Sequence, residues 1–145
     1  MMPKIWTIGY EQTTVEAFLA ALTAAGVEVV ADVRAIAASR RPGFSKTALA
    51  ANLASAGIEY QHFRALGTPA DGRAAARAGN QVALERIYAG QLELPEAIVA
   101  GAQLVALAHE RRTALLCYER DPAGCHRTVL RKAVLSDFAE DDLWP

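Results

Sequence analysis

The side chains best suited to covalent chemistry lie close together near the C-terminal end of the chain. They are Cys117, Cys125, His126 and Arg127, and the two cysteines are the only ones in the sequence. The run that contains them is typical of a buried strand, a tight loop and the beginning of a helix. Backbone N–H groups at the start of a helix favour anions, and they favour the thiolate form of a nearby cysteine. The run therefore predicts a site of thiol chemistry.

Either cysteine could be the nucleophile. Cys125 is the first choice, because the start of a helix, Arg127 and a protonated His126 would each stabilise its thiolate. Cys117, at the end of a strand, could instead attack a substrate anion held by the loop and Arg127, as in cysteine phosphatases and sulfurtransferases. The separation of Cys117 from Arg127 is longer than in those enzymes, which weakens the analogy. The plainest alternative is that both cysteines are small buried apolar residues.

Zinc is a further alternative, because Cys117, Cys125, His126 and His62 carry suitable sulfur and nitrogen ligands. Seven residues lie between the two cysteines, whereas structural zinc motifs usually have about two to four between paired ligands. Adjacent residues on a helix also point about 100° apart, which disfavours joint binding by Cys125 and His126. We therefore predict no metal ligands, and the sequence identifies no cofactor.

The positions of these residues depend on strands and helices that alternate along the chain. Four buried strands are predicted at 4–10, 27–33, 58–63 and 113–118. The intervening helical patterns predict right-handed crossovers and an α/β fold with a mostly parallel sheet of four to five strands and helices on both faces, as in Rossmann-like and flavodoxin-like proteins. At 145 residues, 52% of them hydrophobic, we expect one domain over 1–145.

Local signals refine this outline. Thr13 and Glu16 fit a capping box at the start of the first helix. Residues 67–80 show no clear period and are predicted as a long loop with at most a short helical piece, a kind of segment that often has a function. The acidic residues 140–142 are predicted to form a solvated tail.

In parallel sheets, ligands bind beyond the carboxyl ends of the strands, and the polar candidates lie at those ends. The predicted catalytic residues are Cys117, Glu119, Cys125, His126 and His62, and the predicted substrate-binding residues are Tyr10, Asp32, Arg34, Arg40 and Arg127. His62 and Glu119 are candidates for proton transfer. Simpler roles are open for several of them: His62 as a hydrogen-bonded structural residue, Asp32 and Arg34 as partners of each other, and Arg40 as a solvated loop residue.

The overall charge limits the classes of partner. The formal net charge is −1, so no global field favours nucleic acid, and any anion must be bound locally. The N-terminus lacks the pattern of an export signal, and charged residues or histidine interrupt every apolar run, so we expect no membrane partner. We expect a cytoplasmic protein whose cysteines stay free thiols unless chemistry uses them.

Motifs along nearly the whole chain resemble one family. They are Thr7-Ile8-Gly9-Tyr10, Asp32-Val33-Arg34, the loop from Ser39 to Lys46, Gly57-Ile58-Glu59-Tyr60 with His62, Leu66-Gly67, and Leu116-Cys117-Tyr118-Glu119 followed by Asp121-Pro122 and Cys125-His126-Arg127. Together they resemble the DUF488 family, a domain of unknown function. The resemblance implies an α/β fold and a pocket that contains thiols, and it supplies no activity.

These observations predict a thiol-dependent enzyme that acts on a small anionic substrate, including one that bears phosphate. The alternative is a non-catalytic module that uses the same pocket to bind a nucleotide, a nucleic-acid end or a metal. A third interpretation is a buried polar network that only fixes the loops. The sequence does not define the oligomeric state.

Overall fold

The computed structural model describes residues 2–122 and 125–145 of the chain. Its centre is a five-stranded sheet in the order β3-β2-β4-β1-β5, and every strand pair is parallel. The strands are β1 (Lys4–Gly9), β2 (Val29–Asp32), β3 (Glu59–His62), β4 (Thr113–Cys117) and β5 (Ala139–Leu143). The predicted α/β fold with a parallel sheet is confirmed.

The described residues form six α-helices and a short 3-10 turn at Arg64–Leu66. The helices are α1 (Val15–Ala25), α2 (Lys46–Ser55), α3 (Ala70–Arg77), α4 (Gln81–Leu92), α5 (Pro95–Glu110) and α6 (His126–Val134). None of the helices in the described ranges is long and apolar enough to cross a lipid bilayer.

Helices cover both faces of the sheet, because side chains alternate between faces along each strand. On β4, Leu115 packs in one buried cluster with Leu104 of α5 and Leu130 of α6. Its neighbour Leu116 packs in the other cluster, together with Phe18 of α1 and residues of α2. The central strand is therefore buried on both sides.

The N-terminal cap of α1 is one residue later than the capping-box pattern predicts. The Thr14 side chain accepts a hydrogen bond from the backbone N–H of Ala17 at 3.1 Å, whereas Thr13 is buried and precedes the helix. Gly26 ends α1 with a φ of 74°, a left-handed conformation that glycine adopts without a steric penalty.

Two segments differ from the sequence-based expectations. Residues 67–80, predicted as a long loop with at most a short helical piece, contain the eight-residue helix α3 at Ala70–Arg77, whose alanine-rich composition favours a helix. The acidic residues 140–142, predicted as a solvated tail, lie in β5 at the sheet edge. Their side chains have partners there: Asp142 accepts from the Thr7 hydroxyl at 2.5 Å, and Glu140 pairs with Arg131 at 2.9 Å.

The chain connections diverge at the carboxyl ends of β2 and β4. The connection after β2 leads to β3 on one side of the sheet, whereas the connection after β4 leads to β5 on the other side. Such a divergence between neighbouring strands leaves a crevice in which parallel-sheet proteins bind ligands. The crevice lies between Asp32 and Cys117, the last residues of these two strands.

Candidate functional site

The pairing of β2 with β4 brings the candidate residues together at the crevice. Asp32 is in register with Leu116, and the backbone N–H of Val33 donates to the carbonyl of Leu116 at 3.1 Å. On the other side of β4, Gly9 is in register with Cys117. The ends of β1, β2 and β4 therefore form a continuous edge with Cys117 at its centre.

The two cysteines meet directly at this edge. Their Sγ atoms lie 2.18 Å apart, so the structure contains a disulfide between Cys117 and Cys125, and both residues are buried. The two cysteines, which were expected to stay free thiols unless chemistry uses them, are therefore bonded to each other. The contact arises because Cys125 immediately precedes α6, which follows the β4 strand on the same face of the sheet.

Cys125 occupies the N-cap position of α6, in an extended conformation with φ −123°. Its Sγ lies 3.5 Å from the backbone nitrogen of Arg127 and 3.4 Å from the Arg127 Nε. Both groups are N–H donors, and one carries a positive charge. Donors of this kind favour the thiolate form of a cysteine over the thiol.

His126 is buried beside this cysteine. Its Nε2 lies 2.7 Å from the carbonyl oxygen of Val33 and donates to it, which leaves Nδ1 unprotonated, 3.6 Å from Cys125 Sγ. Burial lowers the pKa of His126 to about 4, with the Arg127 charge acting in the same direction. The expectation of a protonated His126 is therefore wrong, because the buried imidazole is neutral near pH 7.

The side chains of Cys125 and His126 also approach each other more closely than expected. Ideal helical geometry predicted a divergence of about 100° between them. Cys125 is the N-cap residue and is not helical, however, so Cys125 Sγ and His126 Nδ1 lie only 3.6 Å apart. Cys117, Cys125 and His126 form a group in which the two Sγ atoms and an imidazole nitrogen all lie within 4.8 Å of one another.

The Arg127 side chain is completely buried beside this group. Its Nη2 donates to the carbonyl oxygen of Glu119 at 2.5 Å, and its Nη1 has no hydrogen-bond partner among the described residues. Burial lowers the pKa of Arg127 to about 10, although nearby carboxylates, Glu119 first, oppose the shift. Arg127 therefore remains a cation at neutral pH, next to the two sulfur atoms.

Glu119 lies on the other side of the cysteine pair. Its Oε2 is 2.8 Å from Cys117 Sγ. Burial raises the pKa of Glu119, although the charge of Arg127 acts against this shift. A carboxyl group with a raised pKa can both accept and donate a proton nearer to neutral pH than an ordinary glutamate can.

A second cluster at the end of β2 has a largely structural character. Arg34 and Asp32 form a buried salt bridge at 2.7 Å, and the Tyr60 hydroxyl donates to the same Asp32 oxygen at 2.5 Å. Arg34 also donates to the Tyr10 hydroxyl at 3.2 Å. Burial disfavours the charged form of Arg34. The hydrogen bonds and the negative charge of Asp32 outweigh this effect and raise the pKa of Arg34. Asp32 and Arg34 thus neutralise each other.

His62, predicted as a candidate for proton transfer, contacts this cluster. Its Nε2 lies 2.7 Å from the carbonyl oxygen of Arg34. It is not among the described residues that line the cavity beside the cysteines. The structure thus gives His62 a hydrogen bond to the backbone, and its role in proton transfer stays a prediction.

A cavity of about 960 Å³ opens beside the cysteine pair. Of the predicted site residues, those that line it are Tyr10, Arg34, Arg40, Cys117, Glu119 and His126. Cys125, Arg127 and Asp32 are not among its described lining residues. Cys117 is thus the cysteine that faces the cavity, and Cys125 lies behind it.

The sequence reasoning missed several residues of this cavity. Arg73 and Arg77 of α3 line it, together with Thr68 and Tyr118. The two arginines are four residues apart, the spacing that places side chains on one face of a helix. This spacing is visible in the sequence, but it indicates a shared face only if the segment is helical.

Comparison with known proteins adds one finding. The family model described as "Domain of unknown function DUF488" matches residues 14–134. The chain belongs to the DUF488 family. The matched range contains both cysteines, His126, Arg127 and the α3 arginines, whereas Tyr10 of this DUF488 protein lies before it. No curated protein and no solved structure matches the chain. The family description assigns no activity, so the function must be argued from the site itself.

Proposed function

We propose that this DUF488 protein is a thiol-dependent enzyme that acts on a small anionic substrate. The observation that carries the proposal is the position of the cysteine pair. One sulfur faces a large cavity, and the other lies against a buried arginine and a neutral imidazole. Ordinary buried cysteines need neither a cation nor a proton acceptor beside them.

In the proposed reaction, Cys117 of the reduced protein is the nucleophile because it lines the cavity. Glu119 takes the thiol proton across the 2.8 Å contact as the sulfur attacks an electrophilic centre of the substrate. A bond from sulfur to that centre forms, the bond to the leaving group breaks, and Glu119 returns the proton to the leaving group. Water then cleaves the covalent intermediate, with Glu119 as the base, and regenerates the thiol.

Cys125 and Arg127 support this reaction from behind. Arg127 places a buried positive charge 3.4 Å from the Cys125 sulfur, which favours the thiolate form of a cysteine over the thiol. His126 Nδ1 can accept the proton of Cys125. When the pair is oxidised to the disulfide seen in the structure, neither sulfur is a nucleophile, so the enzyme is active only after reduction.

Cysteine alkylation tests the proposal. The reduced protein is treated with iodoacetamide over a range of pH, and Cys117 and Cys125 are followed separately by peptide mass spectrometry. We expect at least one thiol to react well below the unperturbed pKa of about 8.5. Replacing Arg127 with Met removes the charge and should slow alkylation at neutral pH by about tenfold.

The matched control is Arg131→Met, since Arg131 lies one turn further along α6 and pairs with Glu140 at the sheet edge. We expect this variant to leave alkylation unchanged. If both thiols of the reduced wild-type protein react only above about pH 8.5, the nucleophile is lost and the enzyme proposal fails.

A metal-binding module is the second candidate function, because one specific observation favours it. Cys117, Cys125 and His126 present three ligand atoms within 4.8 Å of one another. The other ring nitrogen of His126, Nε2, donates a hydrogen bond to the Val33 carbonyl, and metal-binding histidines commonly have such a partner. Reduced protein dialysed against Co²⁺ would then show sulfur-to-cobalt charge-transfer absorption, which Cys125→Ser should abolish. Under this alternative, alkylation of either thiol becomes fast only after chelation.

A further inference from the structure

Two cavities of this protein meet at the beginning of α3. The cavity beside the cysteines adjoins a second one of about 530 Å³. Both are lined by Thr68 and Arg73, and Arg77 lines the first. We call Thr68, Arg73 and Arg77 the α3 wall. None of them is among the residues that the sequence pattern nominated for binding.

The α3 wall carries positive charge that the protein does not neutralise. Neither Arg73 nor Arg77 forms a salt bridge with any carboxylate among the described residues, and the same holds for Arg40 on the rim. The only carboxyl group among the described residues lining the first cavity is that of Glu119, whose pKa is raised by burial. The cavity therefore has a local excess of positive charge within a chain whose net charge is −1.

Thr68 supplies an independent observation. It is 4% exposed, and its hydroxyl has no hydrogen-bond partner among the described residues. Arg73 Nη1 donates to the carbonyl oxygen of this same residue at 2.9 Å, which holds the guanidinium close to Thr68. A buried hydroxyl without a protein partner is unfavourable unless a ligand or solvent satisfies it. Here Thr68 lies next to the half-buried Arg73, and both residues line both cavities.

We propose that the α3 wall binds a phosphate group, so that the substrate is a phosphate ester or a diphosphate. A phosphate group offers several acceptor oxygens and more than one negative charge, which matches two guanidinium groups and a hydroxyl better than a single carboxylate does. The inference rests on the proposed function in one respect, since it takes the cavity that Cys117 lines as the substrate site.

Inorganic pyrophosphate is the probe that tests the α3 wall. Isothermal titration calorimetry of the reduced 145-residue chain, at constant ionic strength, compares pyrophosphate with succinate. We expect pyrophosphate to bind at least tenfold more tightly than succinate. Arg73→Gln should weaken pyrophosphate binding by about tenfold, and Thr68→Val by about fivefold. Arg77→Gln should have a smaller effect, because Arg77 is exposed.

The matched control is Arg86→Gln, which removes the same charge from an exposed position of α4 that lines neither cavity. It should change the affinity by less than about twofold. Equal binding of succinate and pyrophosphate would overturn the inference, as would unchanged affinity in Arg73→Gln and Thr68→Val variants that unfold at the wild-type temperature.

One more variant separates this inference from the proposed function. Cys117→Ser removes the proposed nucleophile but leaves the α3 wall intact, so it should bind pyrophosphate like the wild type. If the thiols prove unreactive while pyrophosphate binding still depends on Arg73, the phosphate site stands and thiol catalysis fails. If the thiols are reactive and no pyrophosphate binds, thiol chemistry stands and the phosphate site fails.

Discussion

At the scale of single residues, burial decides the charge states on which the chemistry depends. His126 and Arg127 are neighbours in sequence and both are buried, yet one is neutral and the other charged. The difference follows from their intrinsic pKa values. A histidine is neutral at pH 7 once desolvation lowers its pKa, whereas the pKa of an arginine starts so high that it stays above 7 after the same kind of shift. The cysteine pair therefore faces one fixed cation and one proton acceptor.

The buried His126 predicts a pH dependence of stability. Its pKa is lowered from 6.5 to about 4 in the folded protein, so between these values the unfolded chain binds the proton and the folded chain does not. Stability should therefore fall as the pH drops from about 6.5 to about 4, by about 3 kcal/mol from this group. Urea unfolding over this range, for wild type and His126→Gln, measures the difference.

The wild-type protein should lose more stability than His126→Gln as the pH falls. The control is His109→Gln, at an exposed position near the end of α5, which should follow the wild-type curve. Parallel curves for wild type and His126→Gln would show that His126 is not held neutral.

At the scale of elements, the end of β1 sets the position of the loop that follows β4. A Cβ atom on Gly9 would lie 1.8 Å from the carbonyl oxygen of Glu119, so only glycine permits this approach. That carbonyl also accepts the hydrogen bond from Arg127, and the Glu119 side chain contacts Cys117. One glycine on β1 therefore positions the proton-transfer group and the buried cation together.

Gly9→Ala should consequently damage stability and chemistry at once. We expect a loss of about 1–3 kcal/mol, since the added methyl group forces the backbone of the β4 loop to move. Alkylation of Cys117 at neutral pH should slow as well, because Glu119 shifts with the loop. Chemical denaturation and the alkylation assay measure the two effects.

Gly90→Ala provides the comparison, because a Cβ at this position on α4 meets no atom within 4 Å. This variant should be neutral or more stable by up to about 1 kcal/mol, since alanine favours helix more than glycine does. A Gly9→Ala protein as stable as Gly90→Ala would contradict the close contact between β1 and the loop.

At the scale of the whole molecule, the distribution of charge matters more than its sum. The formal net charge is −1, yet Arg40, Arg73 and Arg77 line one cavity and give it a local excess of positive charge. Binding to nucleic-acid duplexes depends on many phosphate contacts over an extended basic surface. A small anion needs only a few converging donors. The molecule as a whole therefore favours a small ligand over a polyanion.

This distribution predicts selective anion binding. A fluorescently labelled DNA duplex should show no anisotropy change with the protein at about 0.15 M salt, under conditions in which pyrophosphate binds. Duplex binding that weakens steeply with salt would instead indicate a basic surface outside the two cavities and would favour the nucleic-acid alternative.

The arrangement of strand ends was largely predictable from sequence. The alternating strand and helix patterns led to a parallel sheet, and such a sheet places Asp32, Arg34 and Cys117 at one edge whatever the details of packing. The missed elements had weak local signals. The acidic strand β5 has no apolar alternation and is held by its pairing with β1, and α3 contains no apolar side chain larger than alanine.

The amino-acid sequence by itself determined which residue types could do chemistry and at which edge of the sheet they lie, because hydrophobic period and strand direction are local properties. Only the tertiary structure decided that Cys117 faces the cavity, that the two sulfurs touch, and that Arg73 joins the site. It also decided that His126 is neutral. The physical reason is that contact and desolvation depend on residues far apart in the chain, and no short pattern records their distance in space.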